Sequence, residues 1–138
     1  MSAKPLSRGE AARRSPCPVA CGLDMFGDRW TLLVIRDMML GKRRFKEFAA
    51  SPEGVPTNIL AERLARLEEA GLVMREPVEP GARHQAYRLT PKGQALRPVL
   101  AAMRDWGLRW VPGTAAAVGA RSQASSARPS SRPGTGRL

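Results

Sequence analysis

Cys17 and Cys21 stand four residues apart in "CPVAC", one turn apart if the segment is helical. Two thiols and a single distant imidazole, His84, fall short of the four protein ligands a structural zinc site uses. Nucleophilic chemistry is the better fit. Cys17 precedes Pro18, and proline suits the first position of a helix. A thiol there faces unpaired backbone N–H groups and the positive end of the helix, which favour thiolate. Cys17 is thus a candidate for reaction with oxidants or electrophiles, with Cys21 as its resolving partner. A small packed residue without chemistry is the alternative.

A second group of residues suits anion and base recognition. Lys42, Arg43 and Arg44 are consecutive and open a short segment, "RRFKEFAAS". They are either a solvated turn or a patch that neutralises phosphates. Further on, "GVPTNILAERLARLEEAGLV" has Leu60, Leu64 and Leu67 on one helical face. At about 100° per residue, Asn58, Ala61, Glu62, Ala65, Arg66 and Glu69 fall on the other side. Asn58 can pair with adenine, and Arg66 can reach guanine or a phosphate. Arg63 lies nearer the apolar face, where a phosphate contact and a structural ion pair are both open. Arg83 and His84 lie in a turn, "EPGARHQ". Nothing in the chain pairs carboxylates, couples a nucleophile to a base, clusters metal ligands or forms a phosphate-binding glycine loop, which points away from an enzyme. No cofactor is expected.

The elements that must position these residues are punctuated clearly. Pro18 starts a helix that Gly27 ends. Asp28 is a good N-cap for "RWTLLVIRDMML", which is apolar on nearly every side and so reads as the central buried helix. A short helix follows, with Phe45, Phe48 and Ala49 inward. Thr57 caps the next one, and Gly71 ends it in the left-handed conformation. "LVMREPV" and "AYRLT" then form a hairpin. Thr90–Pro91 opens a last helix carrying Leu96, Val99, Leu100, Met103, Trp106 and Trp110, which Pro98 kinks or splits. The fold class is mainly α with a two-stranded β-hairpin wing. A short helix, a longer one and a hairpin in this order make a winged helix-turn-helix, whose second helix enters the major groove.

The formal net charge of +11 fits an anionic partner but is unevenly spread. Residues 1–16 carry +3 and residues 113–138 carry +4, while fifteen basic against eleven acidic side chains leave +4 on residues 17–112. Residues 1–15 read as a disordered basic arm, 16–112 as the DNA-binding and dimerisation domain, and 113–138 as a disordered basic tail. No apolar run serves as a signal, and the longest apolar stretch is about half a membrane span. With two cysteines and no disulfide framework, the expected location is the cytoplasm, away from membranes.

The run "CPVACGLDMFGDRWTLLVIRDMMLGKRRFKEF", then "LAERLARLEEAGLV" and "YRLTPKGQALRPVL", resembles the HxlR-type regulators, a MarR-like group of winged-helix transcription factors. The likeness covers about residues 16–111, with several motifs in order. It implies a homodimer that binds a short inverted repeat in double-stranded DNA as a repressor or activator. The contact set it implies is Lys42, Arg43 and Arg44, then Thr57, Asn58, Ala61, Glu62, Arg63 and Arg66, with Arg83 and His84 on the wing. The first and last helices would meet across the dimer through Val19, Leu23, Met103, Trp106 and Trp110, and aromatic residues are indeed enriched at interface cores. Some members sense oxidants or electrophiles through the cysteine matching Cys17, so an oxidant or small-molecule effector is implied too. This chain has Pro56–Thr57 where the group has proline at position 57, and "PGARH" where the wing often carries Pro-Pro-Arg. Both departures lie in the DNA-contacting parts, so the target sequence does not carry over. A basic RNA-binding module and a protein-binding winged helix are the alternatives.

Overall fold

Proline, glycine and threonine set most of the boundaries. A computed structural model describes residues 14–116; the expected disorder of the arm and tail falls largely on residues outside that range. Helix α1 runs Pro18–Phe26, with Cys17 as its N-cap and Gly27 at its end. Helix α2, Thr31–Met39, begins later than expected: its N-cap is Trp30. Asp28 still serves the helix start, from outside it, by accepting the N–H groups of Trp30 at 3.0 Å and Thr31 at 3.1 Å.

Helix α3 is Phe45–Ala49 and helix α4 is Thr57–Glu69. Thr57 is not the cap of α4. Pro56 occupies that position with extended backbone, and no side chain caps the helix. Proline has no N–H to satisfy, and its preferred φ suits the residue that leads into a helix. Gly71 follows α4 at φ 79°, a left-handed conformation that costs glycine little.

Strands β1, Val73–Pro77, and β2, Gln85–Leu89, pair antiparallel, with Val73 opposite Leu89 and Pro77 opposite Gln85. A further bond runs from the Tyr87 N–H to the Arg43 carbonyl at 2.8 Å. It ties the entrance of α3 to the base of the wing.

Pro98 splits the last helix. Helix α5 spans Pro91–Gln94, with the Thr90 hydroxyl accepting the Gly93 N–H at 3.2 Å, and α6 spans Arg97–Trp110. Gly93 is required by proximity: a Cβ there would lie 2.2 Å from the Leu72 carbonyl oxygen.

The core gathers Val34 and Ile35 of α2, Phe48 of α3, and Leu60, Leu64 and Leu67 of α4, with Leu72, Val73, Leu89 and Leu100 around them. Burying each such side chain contributes about 1.5–3 kcal/mol. Phe48 meets Tyr87 edge to face at 6.1 Å, joining helix-turn-helix to wing. Of α2, Val34 and Ile35 are buried, but its other apolar residues are only partly covered. The architecture is a winged helix-turn-helix.

Candidate nucleic-acid interface

The leucines of α4 turn inward, and this leaves Thr57, Asn58, Ala61, Glu62, Ala65 and Glu69 exposed on its outer face. Small residues at positions 61 and 65 leave room for close approach of a partner surface.

The two arginines of α4 are held at its flank. Arg63 Nε donates to Asp28 Oδ2 at 2.9 Å, and Arg63 also pairs with Glu62. Arg66 lies 3.9 Å from Asp28 Oδ1, 3.8 Å from Glu62, and 3.4 Å from the Met25 carbonyl. Of the two readings left open for Arg63, the structure contains the ion pair. The Asp28 carboxyl is half-buried, and burial opposes its ionisation. Hydrogen bonds from Thr31, Arg63 and two backbone N–H groups outweigh that and hold its pKa far below the ordinary carboxylate range. The bond to Asp28 in turn raises the Arg63 pKa.

The three consecutive basic residues behave differently from one another. Lys42 turns inward, its ammonium 3.0 Å from Ser51 Oγ and 3.9 Å from Asp37. Asp37 and Ser51 are buried and hydrogen-bonded to each other, and Arg36 bridges Asp37 and Glu53. The bonds from Arg36 depress the Glu53 pKa, and those from Glu53 raise that of Arg36. This network fixes the turn between α3 and α4. Arg43 pairs with Glu76 on β1 at 2.9 Å. Arg44 makes no ion pair among the described residues. Glu47 closes the helix start by accepting the N–H groups of Arg43 and Arg44 at 2.7 and 2.9 Å, which lower its pKa.

On the wing, Arg83 and His84 are exposed at the tip, with Gly81 at φ 80° in the turn. Arg88 also faces solvent, 3.3 Å from Glu76. Together Arg43 and Arg88 flank one carboxylate at the base of the wing. Sequence reading missed Arg88, although its place opposite Met74 on a two-stranded sheet would have marked it as outward.

Helix α1 buries no residue and α6 buries only Leu100. Val19, Leu23, Met103, Trp106 and Trp110 are all more than half exposed in the single chain. Cys17 is exposed, and Cys21 is partly covered, its thiol 3.3 Å from the Ser15 carbonyl. No group of three metal-ligating side chains occurs among the described residues, and none of their helices is long and apolar enough to cross a membrane.

A short helix, a turn held by buried polar contacts, a second helix with an open outer face and a two-stranded wing define a protein of the winged helix-turn-helix class. The family profile described as "HxlR-like helix-turn-helix" matches residues 25–115, and the chain belongs to that family. An uncharacterized HTH-type transcriptional regulator of Mycobacterium tuberculosis is 36% identical over 94 residues, which are 68% of this chain and 59% of the relative's length. The crystal structure of PA1607 superposes with TM-score 0.69 at 44% identity, covering 77% of this chain and 75% of that one. The reduced form of YodB from Bacillus subtilis gives TM-score 0.60 at 31% identity, over 73% of this chain and all of that one. YodB is also known quinone-bound (TM-score 0.57, 34% identity), and the redox regulator HypR in oxidized form (0.61, 34%). These likenesses favour a transcriptional regulator over an RNA-binding or protein-only module.

Proposed function

We propose that the protein is a homodimer that binds an inverted repeat in double-stranded DNA, with one α4 in each of two successive major grooves. The observation that carries this is the outer face of α4, where Asn58, Ala61 and Glu62 are exposed. Asn58 sits in the first turn, the part of a recognition helix that reaches base edges. Arg43, Arg44, Arg83, His84 and Arg88 supply phosphate contacts on either side. Dimerisation is supported by α1 and α6, whose Val19, Leu23, Met103, Trp106 and Trp110 leave large apolar side chains in water; exposed apolar surface of this kind marks association sites.

A thiol input through Cys17 is the second element of the reading. Cys17 is exposed at the start of α1, two residues from Val19 on the face assigned to the dimer. A bulky adduct there would bear on how two subunits meet, and hence on the spacing of their recognition helices. The solved quinone-bound and oxidized relatives lend this weight.

Selection of duplexes from a random library tests the core of the reading. The expected product is an inverted repeat with half-site centres about 34 Å apart, one helical turn. Recovery of no common sequence, or tighter binding to RNA than to any duplex, would overturn it.

A further inference from the structure

Asp28 lies outside every helix, in the link between α1 and α2, yet it is the most heavily hydrogen-bonded carboxylate near α4. Its Oδ2 accepts the Trp30 and Thr31 N–H groups and Arg63 Nε; its Oδ1 accepts the Thr31 hydroxyl at 2.5 Å and lies 3.9 Å from Arg66. Thr31 is itself buried, so the carboxylate is fixed to the scaffold and not to a mobile side chain. Arg66 adds a contact to the Met25 carbonyl, in the last turn of α1. Arg63 and Arg66, within one turn of α4, are thereby tied to the end of α1 and the link that follows it.

The C-terminus of α4 is held by the other terminal segment. Lys92 donates to the Ala70 carbonyl at 2.8 Å, and the Thr90 hydroxyl to that of Gly71 at 2.5 Å. The Thr90 N–H reaches the Leu72 carbonyl at 3.0 Å. The recognition helix is therefore anchored, flank and end, to the link after α1 and to the start of α5. Its leucines fix its depth in the core, but an apolar face permits sliding and rotation more readily than a charged hydrogen bond reinforced by a second ion-pair contact does.

We infer that Asp28 is a positioning residue for the recognition helix: by holding Arg63 and Arg66 it fixes the angle and spacing at which α4 is presented relative to α1. The inference rests on the dimeric DNA-binding reading above, and it assigns Arg63 to the clamp and not to a phosphate. Its consequence is spacing selectivity. Two helices held rigidly against their own α1 accept one separation of half-sites; two helices released from that tie accept several.

The test uses the full chain and the duplex recovered by selection, together with versions whose spacer is one base pair longer or shorter. Asp28→Asn keeps one side-chain oxygen, enough to accept the Trp30 and Thr31 N–H groups that now share Oδ2, and asparagine is as good a helix-start residue as aspartate. It removes the charge that holds the arginines. The parent should lose about tenfold or more in affinity when the spacer changes, and Asp28→Asn should lose no more than about threefold, with its best affinity about tenfold below the parent's, within the range for one charged network. Arg63→Gln should give the same flattened spacer profile, and the double variant should be no worse than either single one. Thermal unfolding of each variant is measured alongside, because a merely structural loss would weaken all three duplexes together and leave their ratios unchanged. Unchanged ratios in folded Asp28→Asn overturn the inference, as do additive losses in the double variant, which would make Arg63 a DNA contact in its own right. Should Asp28→Asn not fold, Arg63→Gln alone decides through the same ratios. A parent that shows no spacer preference defeats the dimeric reading itself, and that outcome is visible before any variant is made.

Discussion

Replacing Trp106 by alanine asks whether the exposed face of α6 is an interface. Trp106 is 63% exposed in the single chain, so about 150 Å² of its roughly 250 Å² surface stands in water. At about 25 cal/mol per Å², covering that area would be worth about 4 kcal/mol per subunit. Association consumes part of this in lost freedom, so the net effect is smaller. Truncating a central aromatic at an interface commonly costs about 2–4 kcal/mol. A two-fold contact uses the same patch on both subunits, so Trp106→Ala removes the ring twice. The expected result is a dimer Kd raised at least about 30-fold, which is about 2 kcal/mol. Sedimentation from nanomolar to micromolar concentration reads the change, and circular dichroism checks that helix content is kept. Met74→Ala, also exposed but on β1, should leave Kd unaltered. A Trp106→Ala dimer whose Kd moves less than about threefold, or a parent that is monomeric throughout, would refute the reasoning.

Asp37→Ala should destabilise the chain by about 3–5 kcal/mol in urea unfolding, since it strands Arg36 and Lys42 around a buried site; Glu53→Gln, at the more exposed end, should cost less than about 1 kcal/mol. Arg44→Ala should weaken all duplexes alike and flatten the salt dependence, whereas Asn58→Ala should reduce discrimination among sequences by about 1–3 kcal/mol, both read by titration across a salt series. Operator affinity after quinone treatment should fall in the parent and hold in Cys17→Ser; an unchanged parent would leave Cys17 without a sensing role.

The fold was legible where backbone chemistry punctuates it. Pro18, Gly71, Thr90–Pro91 and Pro98 each act through φ or a missing N–H, which are local properties, and each falls where it was expected. The misplaced boundaries have a different origin. Asp28 caps α2 at a distance, through a bend of the chain, and Pro56 takes the place expected for Thr57 because a cap is defined by backbone angles more than by side-chain type. The partners of the charged side chains were not legible. Lys42, Arg43 and Arg44 are consecutive and chemically alike, yet one turns toward Asp37, five residues back, one to Glu76 on another element, and one makes no ion pair among the described residues. Arg63 meets Asp28 across 35 positions of sequence. Such pairings exist only once the helices have packed, so no spacing within one helix announces them.

The charge of α4 itself bears on how binding divides between attraction and reading. Residues 57–69 hold two arginines against three glutamates, Glu62, Glu68 and Glu69, and both arginines are engaged by carboxylates. A helix of this balance draws little from the phosphate field. On the DNA-binding reading proposed above, attraction comes from its flanks, where residues 42–47 carry four basic side chains against one acid, and residues 73–89 carry Arg75, Arg83 and Arg88 against Glu76 and Glu79. Phosphate contacts hold a protein on any duplex, and base contacts select one. A near-neutral reading helix between basic flanks keeps those two contributions on separate elements. On the same reading, Glu62, exposed beside Ala61 but paired with Arg63 and Arg66, would accept from the amino group of cytosine only by exchanging those partners. A carboxylate at that position penalises every register in which no such donor lies opposite it, and so sharpens selection at the expense of overall affinity.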